Sequence, residues 1–475
     1  MHPRNRYNTQ PDFHVLAFKY PKFRKHVRYD KENKAYIDFH DPDAVRELSY
    51  TLLKNDFGLY LEIPNDALCP MVSLCQSCCD IDEPSTEYEI CLHPNRLNYI
   101  HWIEDLICDV VSSTEDVYGI DIGTGASCIY PLLGCALNAN WKFLATDAHK
   151  RLLEAAMNNV EKNNLSDRIT LLLNSSNRKL PIDDVPERDY AFCMCNPPFY
   201  ESVKQHEIAA ANKKKPPSST CTSSQDEMVT PGGEYQFIKD ILEESLVFRR
   251  RISWYTSMIG RLETVDLIVA ELKKHKIDNF VLTEFVQGKT RRWGIGWSFG
   301  NQRPPMAISQ PSSRKLRHVK PPISEFVTTW DTNPTSLYFA ITSILTEALV
   351  SYQRNSDSAV EKSNDFNDDS ILCSGAVFVE TWSRKTRRKI AAGEDITLNV
   401  ETDQPLFKYA IRLEKSTEKN TEAQDRMKTK LTVSWIWGDN RNIFESFYLH
   451  LKRRLDEKFK TDKKQKIERN DKTTS

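Results

Sequence analysis

The chain has 475 residues and a mass of 55.0 kDa, enough for two or three domains with a substantial core. Lys+Arg 65 against Asp+Glu 66 leaves a net charge of -1, which excludes a whole-chain attraction for nucleic acid and leaves that task to local clusters. No apolar run approaches the roughly 20 residues of a membrane span, and Met1-His2-Pro3-Arg4-Asn5-Arg6 lacks the apolar stretch of a secretory leader, so a soluble intracellular protein with no membrane partner and reduced cysteines is expected.

Residues 1–40 are dense in basic and aromatic side chains, among them Arg4, Arg6, Phe13, Phe18, Lys19, Tyr20 and Lys22. That interleaving suits a surface that tracks a phosphate backbone and stacks on bases, although an N-terminal arm packed on its domain with solvated charges has the same composition. The main domain, 41–301, opens with an amphipathic helix from Pro42 (Ala44, Val45, Leu48, Leu52, Leu53) that leads into a short strand near Leu61. Residues 66–93 break the pattern with six potential metal ligands, including Cys75, Cys78, Cys91 and His93. Cys75 and Cys78 have zinc spacing but no second well-spaced pair, so a surface insertion without a metal is expected.

After a helix from Arg96 to Val111, strands are expected at 117–122, 142–147, 169–173, 190–195, 251–259, 279–286 and 292–299, with helices at 128–138, 148–164, 234–250 and 264–275. Only Gln287 to Arg291 joins the last two strands, too few residues for a crossover, so they form an antiparallel hairpin at one edge of a parallel sheet. An α/β, Rossmann-like seven-stranded sheet with an antiparallel last strand resembles the class I S-adenosylmethionine-dependent methyltransferase fold. Within it, 204–233 reads as a flexible, partly basic loop (Lys213, Lys214, Lys215). Residues 302–334, rich in Pro, Ser and basic residues (Arg314, Lys315, Arg317, Lys320), read as a linker that also suits a nuclear-import signal. Beyond lies a smaller α+β C-terminal domain, 335–459. A strand and helix are expected at 337–352, strands at 375–384, 395–400, 405–413 and 430–437, and a helix at 441–459 that carries Lys452, Arg453 and Arg454 ahead of a basic tail, 460–475.

Two motifs carry the chemistry. The first strand ends in Asp121-Ile122-Gly123-Thr124-Gly125-Ala126-Ser127, where glycines let the backbone approach a ligand and Asp121 can accept a hydrogen bond. A dinucleotide site would want a third glycine at Cys128, and its absence favours a ligand without a pyrophosphate, such as S-adenosylmethionine. The second strand ends at Asp147, whose carboxylate can take both ribose hydroxyls. The fourth strand, Tyr190 to Cys195, is stopped by Asn196-Pro197-Pro198-Phe199. There the Asn196 amide and the Pro197 carbonyl form an outward pair suited to an exocyclic amine, with Phe199 as a stacking ring. A loop that merely ends a strand is the plainer reading of the tetrapeptide alone.

Asp121 to Leu133, Phe143 to Thr146, Phe192 to Phe199, Arg96 to Trp102 and Gln287 to Thr290 together closely resemble the U6 snRNA N6-adenosine methyltransferases, the methyltransferase-like protein 16 family. The resemblance covers most of residues 1–300. It implies S-adenosylmethionine contacts by Arg96, Gly123, Ser127, Asp147 and Asn196, and adenine capture by Asn196, Pro197, Pro198 and Phe199. RNA contacts are implied for the N-terminal arm and for the Arg291/Arg292 hairpin. Structured RNA is the implied partner, U6 snRNA at an adenosine in a UACAGAGA-like loop and, in some members, S-adenosylmethionine synthetase transcripts, with a role in splicing and a nuclear location that extends to the cytoplasm. Asp147 stands where the family usually has glutamate, and residues 174–180 resemble an autoinhibitory loop at the cofactor site. The competing readings are a DNA or protein-glutamine methyltransferase with the same tetrapeptide, and a non-catalytic RNA-binding scaffold. A zinc deaminase is excluded by the missing His-x-Glu and Pro-Cys-x-x-Cys elements.

Overall fold

Strands of parallel sheets lie between two helical layers and so read as continuous apolar runs, and four of the runs in this chain are buried along nearly their whole length. The computed structural model describes residues 2–39, 41–64, 95–108, 115–176, 178–184, 187–198, 201, 229–287, 290–311, 313–348, 350–354, 370–393, 404–416 and 428–473. These form two compact units, residues 1–300 with 307–322, and residues 301–306 with 323–475.

The N-terminal segment is folded rather than an extended arm. Helices α1 (Phe13–Lys19) and α2 (Pro21–Arg24) precede the hairpin β1 (Val27–Tyr29) and β2 (Ala35–Ile37). Phe13, Leu16, Phe23 and Ile37 pack with Leu48 and Leu52 of α3 (Pro42–Phe57) in a small core of their own. Gly58 ends α3 in the left-handed conformation, φ 70°. The short strand expected after it does not form. The backbone of Tyr60 and Glu62 pairs instead with the side-chain amides of Asn163 and Asn159, at 2.7–3.0 Å, so its hydrogen bonds are met without a neighbouring strand.

The first sheet follows α4 (Asn95–Ile107) and contains β3 (Val117–Ile122), β4 (Trp141–Asp147), β5 (Ile169–Leu173), β6 (Tyr190–Cys195), β7 (Ile252–Ile259), β8 (Phe280–Gln287) and β9 (Thr290–Trp297). Its spatial order is β5-β4-β3-β6-β7-β9-β8. The first five strands are parallel, and β9 runs against both β7 and β8, which places the antiparallel strand second from the edge. Helices α5 (Ile129–Leu137), α6 (Lys150–Lys162), α7 (Gly233–Phe248) and α8 (Leu262–Lys274) complete the layers. The strand order reverses between β3 and β6, so a crevice opens beyond their carboxyl ends, where open α/β sheets bind ligands.

The segment expected as a linker contributes structure to both units. After the single turn α9 (Met306–Ser309), β10 (Glu325–Trp330) forms the edge of a five-stranded antiparallel sheet, β10-β14-β13-β12-β11, with β11 (Gln353–Arg354), β12 (Ser370–Val377), β13 (Phe407–Ser416) and β14 (Lys428–Gly438). The strand expected at 375–384 ends at Val377, and a basic helix, α11 (Arg384–Ala391), takes its last position. Helices α10 (Pro334–Glu347) and α12 (Arg441–Thr473) supply Leu337, Ile341, Phe444, Phe447 and Leu451 to a core shared with Phe407, Tyr409 and Trp435. The cysteine-rich stretch 66–93, the loop residues 204–228 and the strand expected at 395–400 lie outside the described residues. Among the described residues no helix is long and apolar enough to cross a membrane, and the described cysteines are free thiols, all buried except Cys108.

Candidate active site

A cleft of about 200 Å³ opens at the β3/β6 crevice. Arg96, Gly123, Gly125, Ser127, Asp147, Asn196 and Pro198 all line it, so most of the residues expected from sequence converge. Gly123 and Gly125 take positive φ, 72° and 64°, and a Cβ at Gly123 would meet no atom within 4 Å, leaving the backbone open to a ligand. Cys128 adopts the left-handed φ of 50° that a third glycine would supply. The turn geometry therefore survives the cysteine.

Asp147 is held by its own surroundings. Gly125 N–H donates to Oδ2 at 2.9 Å and His149 N–H to Oδ1 at 2.9 Å, fixing the shorter carboxylate at the mouth of the glycine loop. Asp121 is 1% exposed, and its carboxylate oxygens have no well-formed hydrogen bond, the Thr124 hydroxyl being the one donor close enough to act on them. Burial pushes its pKa up to about 7, the neighbouring Thr124 hydroxyl eases this in part, and the charge of Asp147 adds to it. A buried, unsatisfied carboxylate beside an open glycine loop fits a cationic ligand.

Two residues that sequence reasoning missed brace the cleft. Asn159, fully buried on α6, donates to the Ala126 and Glu62 carbonyls, both at 3.0 Å, and accepts from Glu62 N–H at 2.8 Å, tying the glycine loop to the segment after α3. The signal was present, since Asn159 sits among Leu152, Ala156 and Val160 on the apolar face of its helix. Tyr99 of α4 accepts from Cys195 N–H at 3.2 Å and lies 2.8 Å from Thr256 Oγ1. Thr256 donates to Cys193 O at 2.8 Å, so the Tyr99 hydroxyl proton goes to Thr256 Oγ1 at 2.8 Å in preference to the Cys195 carbonyl at 3.4 Å. That relay fixes the end of β6, from which Asn196 emerges half-buried and Pro197 buried. Phe199 lies outside the described residues.

Part of the segment expected as an autoinhibitory loop also borders the cleft. Glu244 of α7 accepts from Lys179 N–H at 2.8 Å and Leu180 N–H at 2.7 Å. Asn174, Ser176, Arg178 and Lys179 thereby join Phe237 on the lining, and the Lys179 ammonium sits 4.5 Å above the Phe237 ring.

The expected RNA-contacting cations lie outside the cleft, and several are already paired. Arg4 donates to Asp105 at 2.5 Å and to the His101 carbonyl at 3.0 Å, while Arg6 donates to the Asp56 carbonyl at 2.5 Å and lies over the Phe57 ring. Lys19 donates to Asn55 at 2.8 Å, whereas Lys22 is exposed. Arg291 pairs with Glu284 across the hairpin at 2.7 Å, and Arg292 donates to the Arg291 carbonyl at 3.2 Å. On α12, Lys452 lines a groove with Trp330 and Phe459, Arg453 pairs with Glu457 at 3.8 Å, and Arg454 pairs with Glu347. Exposed pairs of this kind are worth at most about 1 kcal/mol, so a phosphate can compete for the same cations.

The family model described as RNA methyltransferase matches residues 1–81 and 76–301. The chain is 40% identical over 330 residues to the RNA N(6)-adenosine-methyltransferase METTL16 of Homo sapiens, a match covering 68% of this chain and 54% of that relative. It is 34% identical over 429 residues to the U6 small nuclear RNA (adenine-(43)-N(6))-methyltransferase of Schizosaccharomyces pombe, covering 88% of this chain and 95% of that relative. The chain thus spans about half the length of the first relative and nearly all of the second. Among solved structures, the crystal structure of the hMettl16 catalytic domain in complex with MAT2A 3'UTR hairpin 1 matches with a TM-score of 0.55 at 40% identity, covering 66% of this chain and 99% of that one.

Proposed function

The chain belongs to the RNA methyltransferase family whose model matches residues 1–81 and 76–301, and from that membership we propose that it transfers a methyl group from S-adenosylmethionine to the N6 of an adenosine in structured RNA. U6 snRNA is the first substrate of this reading, and hairpins of S-adenosylmethionine synthetase transcripts the second. The observation that carries it is the convergence of Asn196 and Pro198 on the same cleft as Gly123, Gly125 and Asp147. The unsatisfied Asp121 carboxylate, the open backbone at Gly123 and the fixed Asp147 fit a cationic, ribose-bearing cofactor.

When bound, S-adenosylmethionine supplies a methyl group on a sulfonium, an electrophile whose leaving group is a neutral thioether. The protein's part is orientation. Asn196 Oδ1 and the Pro197 carbonyl accept the two N6 protons, which draws the nitrogen lone pair out of conjugation and turns it toward the cleft, while Pro198 and Phe199 offer apolar surface to the base. The Tyr99–Thr256 relay holds the backbone of Cys195, the residue before Asn196, in place while this happens. The N6 proton becomes acidic once the new N–C bond forms and leaves to water, so no strong base is required.

Incorporation of labelled methyl into a U6-like hairpin, beside DNA and glutamine-peptide controls, tests the reading. Asn196→Ala should lower the rate at least thirtyfold, the effect of roughly 2–3 kcal/mol in the barrier, with the fold and most RNA affinity kept. Turnover within about threefold of wild type, or methyl in the DNA or peptide instead of the RNA, refutes it. We extend the reading to a nuclear location on the strength of the exposed Arg317 and Lys320, and a fluorescent fusion excluded from nuclei would overturn that extension.

A further inference from the structure

Between Phe13 and Tyr29 the chain carries five Lys or Arg residues and no Asp or Glu. Helix α1 lies in this stretch, and its orientation is fixed from both ends. Asp12 caps its first turn by accepting from His14 N–H at 2.8 Å and Val15 N–H at 3.2 Å, and Phe13, Leu16 and Ala17 are buried against the small N-terminal core. The face pointing outward therefore holds Val15, 58% exposed, and Phe18, 84% exposed. Phe18 is the most exposed large apolar side chain among the described residues, and rotating it inward would expel Leu16 and Ala17. Beside it, Arg24 is locked by donating to the Ala17 and Phe18 carbonyls, both at 2.8 Å, which sets a guanidinium at the base of the exposed ring.

Resting on the RNA reading above, we propose that Phe18 is a stacking platform for one unpaired nucleobase flanking the target hairpin, with Arg24 and the exposed Lys22 meeting the adjoining phosphates. An aromatic ring standing in a field of positive charge matches the two faces of a nucleotide, an apolar π-face and an anionic backbone. A second copy of the chain is the poorer occupant, because it would set a surface rich in Lys and Arg, only partly offset by Glu47 and Asp38, against itself. The proposal also accounts for a division within the N-terminal layer. Arg4 and Arg6 clasp α4 and α3, whereas Phe18 and Lys22 are exposed, Arg24 is held at the Phe18 carbonyl, and the carboxylate that feels Lys22 is Glu47 of α3.

The test uses the full chain and two RNAs, a hairpin with a short single-stranded flank and the same hairpin made blunt, with affinity read by fluorescence anisotropy across a salt series. Phe18→Ala should weaken binding of the flanked hairpin about tenfold, leave the blunt hairpin within twofold, and leave the salt slope unchanged because no charge is removed. Phe18→Trp should retain the affinity and Phe18→Leu should lose it as alanine does, since leucine keeps the apolar contact and not the π-face. The proposal is overturned if Phe18→Ala binds the flanked hairpin as wild type does, if Phe18→Leu keeps full affinity, or if sedimentation without RNA shows a wild-type dimer that Phe18→Ala dissolves. Wild type that binds neither hairpin refutes the RNA reading itself, an outcome distinct from equal binding by wild type and variant.

Discussion

Asp121 makes the cofactor site sensitive to pH. Its pKa in the fold is raised to about 7, far above the usual 3.8 of an aspartate, with burial the leading cause. In the window between those values the folded protein holds a proton that the unfolded chain has released, so this residue's contribution to stability falls as pH rises from about 4 to about 7 and is level above that. A sulfonium cofactor favours the ionised form. Its affinity should therefore rise several-fold between about pH 6 and pH 7.5, and Asp121→Asn should flatten the profile by calorimetry. A wild-type profile already flat across that range would remove Asp121 from cofactor binding. The same scale shows what the sequence held and what it hid. Asp121, Gly123, Gly125, Asp147 and Asn196 were legible because each lies at or within three residues of a strand end, and strand ends can be read from apolar runs. Tyr99 and Thr256 were not, because their roles depend on a 157-residue separation that closes only when α4 packs on β7.

At the scale of elements, the cleft wall depends on one carboxylate. Glu244 accepts both backbone N–H groups of Lys179 and Leu180, and burial raises its pKa against the lowering effect of those two bonds. Glu244→Ala would strand two donors. We expect cofactor affinity to fall by about 1–3 kcal/mol with RNA affinity retained, and unaltered cofactor binding would show that residues 174–180 do not need this clasp. Packing between neighbouring strands sets a second expectation. A Cβ at Gly119 in β3 would sit 2.4 Å from the Phe192 ring, which is itself wedged against Trp141 and Phe143, so Gly119→Ala should cost about 1–3 kcal/mol in denaturant unfolding. A shift under about 0.5 kcal/mol would mean that the ring has room to move. The seven strands and their closing hairpin were readable from the alternation of apolar runs and helices. Strand β10 was not, because its partner β14 lies about a hundred residues later and its run, Glu325 to Trp330, is half-polar and set among prolines. Helix α11 was missed for a different reason, since Arg384 to Ala391 is so basic that no apolar stripe marks it.

For the molecule as a whole, the division into two units decides where catalysis can be separated from affinity. The family match ends at residue 301, but residues 307–322 belong to the first unit. Leu316 is fully buried and Val319 nearly so in the core around Val265 and Ile268, and the Ile308 carbonyl accepts from Trp102 Nε1 at 3.2 Å. A chain cut after Gly300 loses that cover, at about 1.5–3 kcal/mol for each large apolar side chain, whereas one cut after Pro322 keeps it. The 1–322 chain should therefore unfold at higher denaturant than 1–300. It should also methylate a saturating hairpin in a single turnover at nearly the full-length rate, because the whole cleft lies within it. What it gives up is charge. With a net -1 over the full chain, affinity for RNA has to come from clusters, and the cut removes Lys452, Arg453 and Arg454. Each phosphate that the shortened chain no longer neutralises should flatten the slope of log K against log salt by about 0.7–0.9. Binding measured at several salt concentrations beside single-turnover methylation separates these effects. A 1–322 chain that keeps the full slope would clear the second unit of any role in holding RNA, and one that fails to methylate at saturating RNA would show that the second unit takes part in the chemistry itself.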